Sequence, residues 1–130
     1  MSVVRFRLSP SLEFLQWFGL FGAALTWTAE HVAGYWLATA RCGEGGRGLG
    51  ISLHTSQLVL LGIALGFWLL SQAAAVTILL RTMRVEHQDP PPDGRRHFFA
   101  VAAVGGNVLF LVAIILDTVG AVFHTACGQA

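Results

Sequence analysis

The sequence contains no lysine. Its eight basic side chains are all arginine, set against seven acidic residues and five histidines for a formal net charge of +1. The missing lysine reads as base composition; the scarcity of charge reads as chemistry. Charged residues make up 12% of the chain, where a soluble domain carries roughly 25%. Too little polar surface remains to cover a globule of 130 residues, 55% of them hydrophobic, at a mean hydropathy of +0.65, and lipid is expected to cover it instead. The near-neutral balance excludes a nucleic-acid surface built on basic excess. Two cysteines, Cys42 and Cys127, exclude a disulfide-dense scaffold and a zinc-ribbon spacing. The chain also lacks internal repeats, a nucleophile elbow, a Walker motif and a dinucleotide fingerprint. The glycines at 43, 45, 46, 48 and 50 are followed by no Lys-Ser/Thr pair and read as a link. No catalytic constellation stands out, and an enzyme is not the expected outcome.

Long apolar runs are what the chain does have. A bilayer core needs about 20 predominantly apolar helical residues, and three stretches qualify: 14–38, interrupted by Glu30 and His31; 57–80, which carries no charge; and 98–123, interrupted by Asn107 and Asp117. The expected architecture is an all-α membrane protein, a three-transmembrane-helix bundle forming a single domain over 1–130. Pro90, Pro91 and Pro92 stop any helix within the polar loop 81–97. Arginines flanking the spans set the orientation. Arg5, Arg7, Arg81, Arg84, Arg95 and Arg96 fall on one side and Arg41 and Arg47 on the other, which places the N-terminus and the proline loop in the cytoplasm and the C-terminus in the periplasm of a bacterial inner membrane. Ala38-Thr39-Ala40 resembles a signal-peptide cleavage site. Against cleavage, the preceding stretch outruns the roughly 7–15 apolar residues of a signal core and carries Glu30 and His31. Arg41 before Cys42 excludes a lipoprotein box.

This topology puts Cys42 and Cys127 past the outer ends of the first and third helices, in an oxidising compartment where a disulfide between them would persist. Unpaired thiols and copper ligation are the alternatives. Ionisable groups within a span are costly and face a bundle interior or a wet cavity. Glu30, His31, His54, Asp117 and His124 all fall at the outer end, and the inner halves hold no comparable group. Interhelical hydrogen bonds and carboxylate–imidazole pairs would account for them. A copper, zinc or iron site, a proton or quinone site, and a haem held by His31 and His124 remain open, although no HxxxH or CxxxM spacing supports a metal. Gly62 and Gly66 form a GxxxG suited to close helix packing. Gly19, Gly22, Ala23 and Thr26 on the first helix and Ala102, Gly105 and Gly106 on the third form further small faces, which together point to packing with partners as well as within the chain. Trp17 and Trp36 read as interfacial anchors, and Trp27 as bundle packing or lipid contact.

Phe18-Gly19-Leu20-Phe21-Gly22-Ala23-Ala24-Leu25-Thr26-Trp27, continuing through Tyr35 to Cys42, resembles the opening of small bacterial integral membrane proteins encoded beside caa3-type cytochrome c oxidase genes. Arg96-His97-Phe98-Phe99-Ala100, the Gly106-Asn107 pair, Phe110-Leu111 and Cys127 are similar at the other end. The resemblance implies a respiratory-membrane setting and an accessory role, with the lipid bilayer and other membrane subunits, cytochrome oxidase among them, as partners. The expected function is therefore a non-catalytic accessory or assembly subunit. A metal- or haem-handling redox protein and an oligomeric channel or small-solute carrier are the rivals.

Overall fold

The computed structural model describes residues 2–42, 50–85 and 89–123, with side chains from Leu12 onward. Among these residues the chain is all-helical: α1 spans Ser2–Cys42, α2 Leu53–Arg81 and α3 Asp93–Phe123. Each helix packs against both others. Gly19 meets Ala75 and Gly34 meets Gln57, so α1 and α2 are antiparallel. Gly19 joins Asn107 and Glu30 joins Thr118, so α1 and α3 are parallel.

The helices outrun the apolar stretches that mark them. α2 starts at Leu53 rather than Gln57 because Ser52 caps it: its backbone is extended (φ −65°, ψ 148°) and its Oγ accepts from Thr55 N at 3.1 Å. At the other end the Thr82 hydroxyl donates back to Ile78 O at 2.8 Å. α3 starts directly after Pro92, whose carbonyl accepts from Arg96 N at 3.1 Å, with Asp93 in the positive first turn. The connection between α2 and α3 is thus shorter than the expected loop 81–97. α2 and α3 are long and apolar enough to cross a membrane. α1 is longer, but glycines, threonines, Glu30 and His31 dilute its apolar character.

The interior is built from small and polar side chains. Buried positions recur every seven residues: Gln16, Ala23 and Glu30 on α1; Gln57, Ala64, Ser71 and Ile78 on α2; Ala100, Asn107 and Ile114 on α3. This is the spacing of helices that wrap gently around one another along a narrow seam. Phe21, Leu25, Phe67, Leu109 and Leu116 meanwhile point outward at 50–73% exposure, the reverse of a water-soluble bundle.

At the centre, polar side chains bond to a neighbouring backbone. Ser71 Oγ reaches Phe18 O at 3.0 Å and Gly19 O at 3.3 Å from α2. Asn107 Nδ2 donates to Gly19 O at 3.0 Å from α3, and Trp68 Nε1 donates to Asn107 O at 2.7 Å. The approach needs glycine. A Cβ on Gly19 would lie 2.9 Å from the Ala75 backbone nitrogen, and one on Gly22 would lie 2.8 Å from Ser71 Oγ.

The expected packing role of Gly62 and Gly66 is not realised within the chain. Both are exposed, and a Cβ at either meets nothing within 4 Å among the described residues; the same holds for exposed Gly105, and half-buried Gly106 also has room for a Cβ. The reason is the seam itself: the inward side of α2 follows Gln57, Ala64, Ser71 and Ile78, and the two glycines fall on the opposite side. Gly19→Ala is therefore expected to destabilise the isolated chain by about 1–3 kcal/mol, the usual cost of overpacking, with Gly62→Ala close to neutral. Unfolding in mixed micelles, followed by helical circular dichroism, measures both; equal effects would show that the buried seam is wrongly placed.

Candidate functional site

One end of the bundle carries the ionisable groups. The α1–α3 register that joins Gly19 to Asn107 also sets Glu30 against Thr118 and His31 against Asp117. His31 Nδ1 lies 3.0 Å from Asp117 Oδ1 and 3.1 Å from Oδ2. An ionised carboxylate can only accept, so in this pair Nδ1 carries the proton. The pair is partly open, with side-chain exposures of 57% for His31 and 29% for Asp117. Trp27, one turn back along α1, stacks on the imidazole with ring centres 5.9 Å apart and in turn abuts Phe110 at 6.0 Å, which limits how far the ring can swing.

Glu30 faces inward and is buried. Its Oε1 accepts from Thr118 Oγ1 at 2.9 Å, while Oε2 is shielded from solvent and has no hydrogen-bond partner among the described residues. Thr118 Oγ1 also lies 3.1 Å from Ile114 O, so a single hydroxyl proton serves two acceptors. Across the helix interface, Gln57 Nε2 donates to Gly34 O at 3.3 Å and ties the start of α2 to α1. Between these groups lies a cavity of about 430 Å³, lined by Glu30, His31, Gln57, Asp117 and Thr118 at its polar side and by Leu53, Leu116 and Ala121 at its apolar side.

Of the five ionisable residues expected to converge, the structure brings together Glu30, His31 and Asp117. His54 does not join them. It is exposed, lies outside the cavity lining, and makes no hydrogen bond among the described residues. Leu53 takes the inward position at the first turn of α2 in its place. His124 and Cys127 lie outside the described residues. Cys42 closes α1 and borders the cavity, and among the described residues no cysteine is free. The ionisable groups pair off separately, and no three His, Cys, Asp or Glu side chains come together as a metal site among the described residues.

Thr118, Gln57 and Gly34 complete the site without having been expected there. Gln57 had a readable signal: with Ser71 it is one of few polar side chains in an otherwise apolar helix, two seven-residue steps away. Thr118 had none beyond its place beside Asp117. Comparison of the chain with protein-family models, with curated proteins and with solved structures gives no match.

The two pairs differ in what they protect. Thr118→Val removes the one hydrogen bond that the Glu30 carboxyl makes among the described residues and leaves it buried and bare, for an expected loss of about 1–3 kcal/mol. The half-exposed His31–Asp117 pair should show a coupling of about 0.6 kcal/mol in a double-mutant cycle with alanine, typical of interhelical polar contacts. Chemical unfolding of the four variants in bicelles gives both numbers. A coupling larger than the Thr118→Val effect would reverse the order of importance argued here.

Proposed function

We propose that this chain is a three-span protein of the bacterial inner membrane, with a cytoplasmic N-terminus and a periplasmic C-terminus. In this reading it serves as a non-catalytic accessory or assembly subunit of a larger membrane complex. A respiratory terminal oxidase is the first partner to test. The apolar outward surface supports the membrane setting: exposed side chains include Leu25 and Val32 on α1, Phe67 and Leu69 on α2, and Leu109 and Leu116 on α3. α1 shares that surface with α2 and α3, which supports counting it as a span although it is the least apolar of the three.

The observation that carries the accessory reading is the placement of glycine. Gly62, Gly66 and Gly105 leave bare backbone on the outside of the bundle, with open space where a Cβ would stand. Glycine lowers helix propensity by roughly 1 kcal/mol relative to alanine in water, and in membranes small residues on a helix surface let another helix approach closely. Inside the chain, Gly19 and Gly22 already fill that role; the outward glycines have no such neighbour among the described residues. A partner helix laid along them would use what the monomer does not. Gly62→Leu and Gly66→Leu should therefore leave the isolated chain folded yet abolish recovery of a complex when the tagged chain is purified from native membranes in mild detergent. Wild-type protein emerging alone, with no co-purifying membrane subunit, would sink the accessory reading.

The proposal includes a Cys42–Cys127 disulfide on the periplasmic side. A membrane-impermeant maleimide applied to intact spheroplasts should label the protein only after treatment with an impermeant reductant. Labelling without reductant would show free thiols and remove the bond. Labelling only after permeabilisation would reverse the orientation.

A further inference from the structure

We propose that the outer groove between α1 and α2, with Arg81 at its mouth, is a binding site for one anionic phospholipid of the leaflet next to the proline turn. This rests on the chain spanning a membrane, and not on its having a partner subunit. Phe14, Phe18, Phe21 and Leu25 of α1 and Ile63 and Phe67 of α2 line a groove of about 680 Å³, to which α3 contributes no described residue. Its wall is almost wholly apolar: Thr26 turns its hydroxyl to Gly22 O at 2.7 Å, and Glu30 touches only the end far from Phe14. The α1 wall runs from Phe14 to Ala33, about 28 Å of helix, so the volume corresponds to a trough about 5 Å wide, against about 10 Å for a helix. A hydrocarbon chain fits that width and a partner helix does not.

The charge stands at the Phe14 end. Gly19 packs on Ala75 across antiparallel helices, so Phe14, five residues before Gly19, lies level with Leu80, five after Ala75 and next to Arg81. Ile63 and Arg81 are eighteen residues apart, five turns at about 3.6 residues each, so Arg81 leaves α2 on the groove side. Arg81 and Arg84 are both exposed, and neither makes an ion pair or hydrogen bond among the described residues. Glu13, the acidic residue at this level of α1, pairs with neither. An unpaired guanidinium beside an apolar trough fits an amphiphile. The phosphodiester accepts the two N–H arms of the fork, and the acyl chain lies along the aromatic wall. Phe14 to Leu25 covers about 16 Å, close to one leaflet of a hydrocarbon core about 30 Å thick. A zwitterionic headgroup would set its own cation against the arginines, so the lipid recognised carries a net negative charge, which suits a cytoplasmic leaflet.

The test uses the full chain in mild detergent with equal amounts of dioleoyl phosphatidylglycerol and dioleoyl phosphatidylcholine, and reads the retained lipid by native mass spectrometry. One phosphatidylglycerol is expected to remain, favoured about fivefold or more over phosphatidylcholine, the preference one basic side chain supplies at a charged surface. Arg81→Gln should remove about that factor, and the double variant Arg81→Gln, Arg84→Gln more. Arg95→Gln is the control: it deletes the same charge at the same end of the bundle, but from α3, and should leave retention nearly unchanged. Phosphatidylglycerol with a photoreactive diazirine in its acyl chain should crosslink to residues 14–25 of α1 rather than to Leu109 and Leu116 on the outward side of α3. Equal losses in Arg81→Gln and Arg95→Gln, no preference over phosphatidylcholine, or crosslinks spread evenly onto α3 would each overturn the proposal. Displacement of the lipid by inorganic phosphate alone would assign the arginines to a soluble anion and overturn it as well. Flotation with liposomes separates the site from the setting it rests on. A chain that does not float removes the membrane reading together with the site, and a chain that floats without the preference removes the site alone.

Discussion

The carbonyl oxygen of Gly19 receives hydrogen bonds from two different helices, Asn107 of α3 and Ser71 of α2. A helix carbonyl normally serves only its own helix, and its second lone pair is reachable only if nothing bulky stands beside it. Glycine at 19 and again at 22 removes that obstacle, and Ala75 fills the remaining space. The contact fixes the rotation of α1 about its axis and its height against both neighbours. The ionisable end inherits this alignment: with Gly19 opposite Asn107, Glu30, eleven residues further on, falls opposite Thr118, eleven residues beyond Asn107, and His31 beside it reaches Asp117.

The middle of the seam and its Glu30 end solve different problems. In the middle, serine, asparagine and tryptophan each find a backbone acceptor, and the small side chains around them close the space. At the Glu30 end the same seven-residue rhythm continues with larger polar side chains, Glu30 and Gln57, and the helices no longer close completely.

Much of this was legible in the sequence, for identifiable reasons. Apolar length located the hearts of α2 and α3, and the boundaries slipped because capping by Ser52 and the start after Pro92 extend helices into polar sequence. Glu30, His31 and Asp117 were found together because ionisable groups in apolar helices are too costly to be scattered. His54 was misplaced because depth along a helix says nothing about which side a residue faces, and Leu53 holds the inward side there. The seam was invisible to hydropathy: its members are glutamine, alanine, serine, asparagine and isoleucine, while the outward surface is just as apolar. Ordinary helix reading depends on contrast between the two faces, and here the contrast lies in side-chain size. For the same reason, Gly62 and Gly66 advertised close packing as loudly as Gly19 and Gly22 did, and nothing in the sequence said which pair faced inward.

An interior of alanine, glycine and short polar groups also shapes how the fold responds to heat. A soluble bundle is held by the release of water from large apolar side chains, which gives unfolding a large heat-capacity change and a stability maximum near room temperature. Here the large side chains lie outside in the folded state, and in a bilayer they would stay in hydrocarbon when the helices separate. Little apolar surface would change solvent, so the separation should carry a small heat-capacity change. The stability curve would then be nearly a straight line falling with temperature, set by hydrogen bonds and van der Waals contact along the seam, with no cold limit of its own.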